Sequence, residues 1–173
     1  MTEAYEPSEL AVLERRLDEW LAELASADER IVAIDRDTET VRWYVRMRGD
    51  DKEFTTVWFT LGQRMLRYET HVMPAPEEND AELYEHLLRR NDRLVGAHFS
   101  IGVEDAIFLR GEMPVGQVSL AEVDRVLGTL YAQVEQSFQA LLDCLDDPSF
   151  RYVDVLWVGV WGRRPPRQRA IHH

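Results

Sequence analysis

The sequence predicts an α+β fold in which one antiparallel sheet carries helices on one of its faces. Three segments show apolar residues at three- and four-residue spacing, the segments between them alternate strictly between polar and apolar residues, and only short turns separate the alternating segments. Short turns join antiparallel strands, because parallel strands need long crossover connections. The predicted order is α-β-β-β-α-β-β-α, with one further strand optional, in a 173-residue chain that fits a single domain.

The first helix is predicted over residues 8–27. Ser8 is a suitable N-cap, and Glu9 places a negative charge in the first turn, where the helix dipole favours it. The apolar stripe consists of leucines at helical spacing: Leu10, Leu13, Leu17, Leu21 and Leu24.

A meander of three strands follows the first helix. Apolar and polar residues alternate over 41–48, 56–61 and 66–72, and glycine-containing turns at Gly49 and Gly62 separate these runs. A shorter strand at 31–34 is the optional fourth strand.

The second half of the chain predicts a helix, two strands and a long helix. Pro74 ends the meander, and the helix after it starts at Pro76 or at Asn79, with an apolar stripe of Leu83, Leu87 and Leu88. Strands are predicted at 97–103 and 106–110. Ser119 and Glu122 then form a capping box before the longest apolar stripe, which is Val123, Leu127, Leu130, Val134, Phe138, Leu141 and Leu145.

Alternation also predicts which side chains lie on the sheet face away from the helices. That face carries Arg42, Tyr44, Arg46, Trp58, Arg67, Glu69, His71, His98 and Ser100. Aromatic and arginine side chains are enriched at interface hot spots, so we select Arg42, Tyr44, Arg46 and Trp58 as protein-interaction candidates. The alternative interpretation is cross-strand pairing that only stabilises the sheet.

Charge and composition exclude several classes of protein. The chain has 20 Lys and Arg against 32 Asp and Glu, a net charge of −12, which argues against nucleic-acid binding. The single cysteine, Cys144, leaves no internal disulfide and favours a reducing compartment. The first residues lack the basic and apolar regions of a signal peptide, and no apolar run is long enough for a membrane span, so we expect a cytoplasmic protein.

No catalytic motif is found in the sequence. It contains no glycine-rich phosphate loop, no GxSxG, no HExxH and no CxxC, so we expect a protein that is not an enzyme and has no cofactor. A metal site formed by Glu69, His71 and His98 is a weak alternative, because two histidines and a carboxylate suit a divalent ion. Surface histidines on a polar strand face are the simpler interpretation.

The C-terminal residues differ from the rest of the chain. We therefore divide it into a domain over 1–147 and a tail over 148–173. Within the tail, 153–161 is an apolar run, and 151–173 carries five arginines and one aspartate. The tail could form an added strand, an interfacial anchor or a frayed end, and His172 and His173 are either native or derived from a tag.

The meander and its flanks resemble a known family. The segments RWYVRMRG (42–49), TTVWFTLGQR (55–64), YETHVMPAPEEN (68–79), LLRRN (87–91) and LGTLYAQVEQSF (127–138) are similar to those of the YbjN family, over about residues 30–140. Its members are described as bacterial sensory transduction regulators. The resemblance implies a fold like that of type III secretion chaperones, and no established catalytic activity.

The resemblance also implies a function through protein contacts. We expect a non-enzymatic protein-interaction module, either chaperone-like or an adaptor in stress or sensory regulation. The alternative is a sensor that binds a small molecule or a metal on the polar sheet face. We also expect a homodimer, because Tyr44 and Trp58 on the sheet face and the apolar run 153–161 both need cover, and two-fold dimers are the commonest oligomers.

Overall fold

A computed structural model describes residues 5–144, apart from the side chains at 139 and 142–144. The predicted tail, Leu145 and the Cys144 side chain lie outside the described residues. The elements are α1 (Pro7–Ala27), β1 (Ile31–Asp37), β2 (Arg42–Arg48), β3 (Phe54–Leu61), β4 (Met65–Met73), α2 (Asp80–Asn91), β5 (His98–Ile101), β6 (Ile107–Pro114) and α3 (Leu120–Cys144).

The six strands form one antiparallel sheet in the order β1-β2-β3-β4-β6-β5. The first four strands are a meander. The chain then passes through α2 to the far edge, forms β5 there, and returns as β6 between β5 and β4. The predicted fold class is confirmed, and the optional first strand is present.

All three described helices pack on the same face of the sheet. α1 contacts β1, α2 contacts β5, and α3 lies across β3, β4 and β6 and also touches both other helices. Burial of each large apolar side chain in this layer contributes about 1.5–3 kcal/mol. The largest fully buried side chains include Leu17, Leu21, Trp43, Val45, Phe59, Leu66, Leu109 and Leu130.

The start of α1 differs from the prediction, and the start of α2 matches one of the two alternatives that the sequence left open. Glu6, not Ser8, is the N-cap of α1, and its backbone N–H donates to the Glu9 carboxylate (3.0 Å). Pro7 then occupies the first helical position, where its missing N–H costs nothing. The N-cap of α2 is Asn79, which leaves Pro76 outside the helix.

Two apolar stripes are narrower than predicted. Leu88 is 68% exposed, because the buried side of α2 passes through Leu83 and Leu87. On α3, Phe138 is half-buried. Gln133 of the same helix is also half-buried and accepts a hydrogen bond from Arg90 Nη2 (2.8 Å).

Strands β1 and β6 are longer than predicted. β1 reaches Asp37, and a register shift between Ile31 and Ala33 interrupts the alternation that would have revealed it. β6 continues through Gly111 to Pro114. A Cβ at position 111 would lie 2.4 Å from the Gly96 carbonyl oxygen, so a close backbone approach requires the glycine that interrupts the apolar pattern.

Candidate interaction surface

The face of the sheet turned away from the helices, which we call the outer face, carries the side chains that alternation predicted. Cross-strand register extends it to β6, whose Phe108 and Arg110 lie opposite His71 and Glu69 of β4. No helix of the described residues packs on this face.

Four rings form an aromatic row across the outer face, consisting of Tyr44, Trp58, Phe108 and His71. Tyr44 and Trp58 are register partners with ring centroids 6.1 Å apart in an edge-on arrangement. The centroids of Trp58 and Phe108 are 6.0 Å apart, and those of Phe108 and His71 are 5.4 Å apart. Such aromatic pairs stabilise a structure by ~0.5–1.5 kcal/mol beyond the area that they bury.

The rings at the centre of the aromatic row are buried from solvent, whereas Tyr44 at its end is partly exposed. Trp58 is 9% exposed and Phe108 is 5% exposed, whereas Tyr44 is half-buried. Gly102 leaves room for the Phe108 ring, because a Cβ there would lie 2.5 Å from the ring atom Cδ2. The face is therefore graded from a buried centre to a polar margin.

The four interaction candidates lie together on β2 and β3. Arg42 Nε donates to Thr60 Oγ1 (2.9 Å), and the Arg46 guanidinium lies 3.8 Å from the centroid of the Phe54 ring. Both arginines are half-buried and flank Tyr44 along β2. Two guanidinium groups thus border an aromatic surface, an arrangement that suits carboxylate and carbonyl acceptors beside apolar groups.

Three buried polar atoms on the outer face have no hydrogen-bond partner among the described residues. They are Trp58 Nε1, Ser100 Oγ and Arg110 Nε. The Arg110 Nε atom lies 3.9 Å from Glu69 Oε2, which is an ion pair without a hydrogen bond. A buried donor that lacks an acceptor costs ~1–3 kcal/mol. Thr55 Oγ1 and Ser137 Oγ on the helical side are also unpartnered, but the outer-face atoms differ from them in that no described helix lies above them.

The residues of the metal alternative are separated. Glu69 and His71 share β4, whereas His98 lies on β5, and Arg110 of β6 is the register partner of both Glu69 and His98. This arrangement places a cationic side chain between the carboxylate and the second histidine. Within 5–144, no group of three or more His, Cys, Asp or Glu side chains is arranged to hold a metal ion.

Sequence reasoning missed a buried polar cluster at the β2–β3 turn. Lys52, the one lysine in the sequence, is 2% exposed. Its Nζ donates to the carbonyl oxygens of His71 (2.9 Å) and Val72 (3.4 Å), where a bulge interrupts the pairing of β4 with β6. Burial lowers the pKa of Lys52 from 10.5 to about 8, and the Glu135 carboxylate opposes part of that shift.

The Glu135 side chain ties α3 to the same turn. Its carboxylate accepts hydrogen bonds from the backbone N–H groups of Asp50 (3.2 Å), Asp51 (2.8 Å) and Lys52 (3.4 Å). The sequence did contain a signal for this cluster, because the single lysine of an arginine-rich chain lies at a predicted turn. Its burial depends on where α3 crosses the sheet.

Comparison with known families gives one match over most of the chain. A family model described as "YbjN: Putative bacterial sensory transduction regulator" matches residues 15–143. An uncharacterised protein of Mycobacterium tuberculosis is 36% identical over 99 residues, which cover 57% of this chain and 54% of that protein. An uncharacterised protein of Mycobacterium leprae is 32% identical over 103 residues, covering 60% and 56% of the two chains. The chain spans about half the length of the curated relatives it matches.

Solved structures share the architecture at low sequence identity. The crystal structure of the ExsC–ExsE complex contains a chain that matches with TM-score 0.55 and 19% identity, covering 75% of this chain and 96% of that one. A Yersinia pestis protein described as the type III secretion chaperone SycH, in complex with a stable fragment of YscM2, matches with TM-score 0.47 and 18% identity, covering 69% and 94%. These likenesses describe the fold alone. None of the helices within 5–144 is long and apolar enough to cross a membrane.

Proposed function

The chain belongs to the YbjN family, and from that premise we propose that it is a non-enzymatic protein-interaction module whose binding surface is the outer face. The proposed contact residues are Arg42, Tyr44, Arg46 and Trp58. We also propose that the protein acts in the cytoplasm as a chaperone-like or regulatory adaptor in a sensory or stress response.

One observation carries this proposal, the combination of a buried aromatic centre with flanking arginines on a face free of described helices. Trp58 and Phe108 form the buried apolar centre, and half-buried Tyr44 offers accessible apolar area beside it. Arg42 and Arg46 supply hydrogen-bond donors. A partner that suits this surface is a segment combining apolar side chains with carboxylates. The likeness to a chain of the ExsC–ExsE complex supports the proposal, because that fold is seen there in a complex.

Site-specific photo-crosslinking tests the proposed surface. A photoreactive phenylalanine analogue replaces Tyr44 in the full chain, and a matched variant carries it at Arg89, which is exposed on α2. We expect a heavier crosslinked product from position 44 in the native host, reduced by Arg46→Ala in the same chain. Crosslinking from position 89 with none from position 44 would contradict the proposal.

We further propose a homodimer, and a division of the chain into a domain over 1–147 and a separate tail over 148–173. The end of the family match at residue 143 supports the division. Light scattering at micromolar concentration should give twice the chain mass of 20.2 kDa. A single-chain mass at every concentration would refute the dimer.

A further inference from the structure

We propose that the apolar segment 153–161 docks on the outer face of its own sheet and covers the aromatic row. This inference rests on the proposed function, because it assumes that the outer face is a binding surface. It assigns that surface to segment 153–161 in the absence of a partner protein. The segment would then compete with any partner protein for the same residues.

The burial of the aromatic row requires a cover. On a flat sheet, neighbouring side chains pack against the edges of a ring, while its upper side stays open unless something lies across the strands. Trp58 and Phe108 are nevertheless both less than one-tenth exposed, and no helix of the described residues lies above them.

The unpartnered polar atoms indicate the chemistry of that cover. Trp58 Nε1 and Arg110 Nε are donors, and Ser100 Oγ can donate or accept, so the covering group has to offer acceptors in an otherwise apolar setting. An extended backbone supplies one carbonyl oxygen per residue, and Asp154 lies within the proposed segment.

The sequence of the segment matches these requirements. β-branched and aromatic residues favour an extended conformation. Nine extended residues span about 30 Å, whereas the three inter-strand steps from Tyr44 on β2 to Phe108 on β6 span about 14 Å. The apolar members of the segment are Val153, Val155, Leu156, Trp157, Val158, Val160 and Trp161.

The described end of α3 brings the chain to the correct end of the sheet. The segment that leads into α3 lies beside the β3–β4 turn, where the Val115 N–H donates to the Arg64 carbonyl oxygen (2.9 Å), and α3 reaches the β2–β3 turn at Glu135. The nine residues from there to Cys144 add about 13 Å of helix. Residues 145–152 can span up to about 26 Å, which is enough to round a sheet edge and reach the outer face.

Charge favours the same contact at one margin of the outer face, on the β6 and β5 side and away from Arg42 and Arg46 on β2. Residues 151–173 carry five arginines and one aspartate, in a chain with a net charge of −12. The β5–β6 turn beside the aromatic row exposes Glu104 and Asp105, and Glu112 is exposed on the outer face. The cationic end of the tail therefore meets an acidic margin once the apolar segment covers the rings.

Pulsed electron paramagnetic resonance on the full chain measures where the segment lies. In a Cys144→Ser background, one spin label is attached at Gly159→Cys and the other at Glu112→Cys on the outer face. The control pair replaces Glu112→Cys by Glu85→Cys on α2, on the helical side. We expect a narrow distance distribution for both pairs, with the shorter mean for the 112 pair. Adding Trp157→Ser and Trp161→Ser should broaden both distributions.

Two results would overturn the proposal. One is a distribution that is equally broad for both pairs and unchanged by the serine substitutions. The other is a distance that arises between singly labelled chains after mixing, which would assign the outer face to the tail of a second copy. Crosslinking from Tyr44 reports the proposed function separately, and the serine variant should increase it several-fold if the tail competes with the partner. Docking within one chain also predicts that a homodimer forms through the outer face only after the tail is displaced.

Discussion

The same alternation of residues produces both faces of the sheet, yet the side chains and the packing on the two faces differ. On the helical face, apolar side chains such as Phe59 and Leu109 are fully buried beneath described helices. On the outer face, rings alternate with arginines, and three buried polar atoms have no partner within 5–144. Thr55 Oγ1 and Ser137 Oγ on the helical side are unpartnered as well, but both residues are fully buried there. The comparison teaches that the helical face supplies stability, whereas the outer face keeps its rings and donors where a ligand or another segment can reach them.

The largest expected effect is a difference in the free energy of unfolding between substitutions on the two faces. Phe59→Ala removes a fully buried ring from the helical face and should lower the free energy of unfolding by ~3–5 kcal/mol. Tyr44→Ala on the outer face removes mainly its edge-on contact with Trp58, worth ~0.5–1.5 kcal/mol. Chemical denaturation measures both. Equal losses would break the comparison, because the outer face would then be a second core.

The next effect concerns the buried lysine at the end of the helical face. The pKa of Lys52 is about 8 in the folded chain, against 10.5 for the ordinary lysine side chain that the unfolded chain exposes. Between these values the unfolded chain binds more protons, so the free energy of unfolding should rise with pH, by about 2 kcal/mol from pH 8 to 10. Below pH 8 both states are protonated and this dependence vanishes.

Denaturation at several pH values tests this dependence, with Lys52→Met as the control that should abolish the rise. Burial raises the pKa of Tyr68 and Tyr131, so their ionisation destabilises the folded chain above pH 10 and limits the useful window. A wild-type profile that is flat or falling between pH 8 and 10 would contradict the assignment.

A smaller effect is expected at the β5 edge, where the two faces meet. The Asn91 side chain donates to the Phe99 carbonyl oxygen (3.0 Å) and accepts from the Phe99 N–H (2.6 Å), so it occupies backbone groups that a neighbouring strand would use. Asn91→Ala should cost ~1–2 kcal/mol and speed amide exchange at Phe99. Unchanged exchange at that amide would show that the edge needs no cap.

The smallest effect on stability should accompany a large effect on binding. Arg46→Ala removes a guanidinium from the Phe54 ring and should cost ~0.5–1 kcal/mol in unfolding. The same change should strongly reduce partner crosslinking from position 44. Arg89→Ala, which breaks an exposed ion pair with Glu85, should change neither measurement appreciably. If Arg46→Ala left crosslinking intact, the outer face would lose its assigned role.

Local patterns predicted much of this molecule, because they depend on residues close together in the chain. Alternation identified the outer-face side chains, and helical spacing identified the three helices. Only part of the aromatic row could be predicted from the sequence. Tyr44 and Trp58 belong to consecutive strands, whereas Phe108 joins them because β6 inserts beside β4. The order of strands reached through α2 is a long-range property that periodicity does not contain.

The same limit explains the polar residues that were missed. Lys52 and Glu135 are 83 positions apart, and the burial of Lys52 follows from the path of α3 over the β2–β3 turn. Asn91 acts on a strand edge that exists only once β5 has paired with β6. Ser8 lost the N-cap position to Glu6, because Pro7 is favoured at the first helical position and the Glu9 carboxylate accepts from the Glu6 backbone N–H.

The burial of Lys52 gives this protein an unusual relation to amine chemistry. Arginine carries the other positive side-chain charges, so reagents that acylate lysine find their one side-chain target held behind the β2–β3 turn. Acylation of Lys52 can proceed only as fast as that turn and α3 separate. The rate of labelling in the native chain therefore acts as a clock for the local opening of this end of the molecule, read by mass spectrometry without introducing any foreign probe.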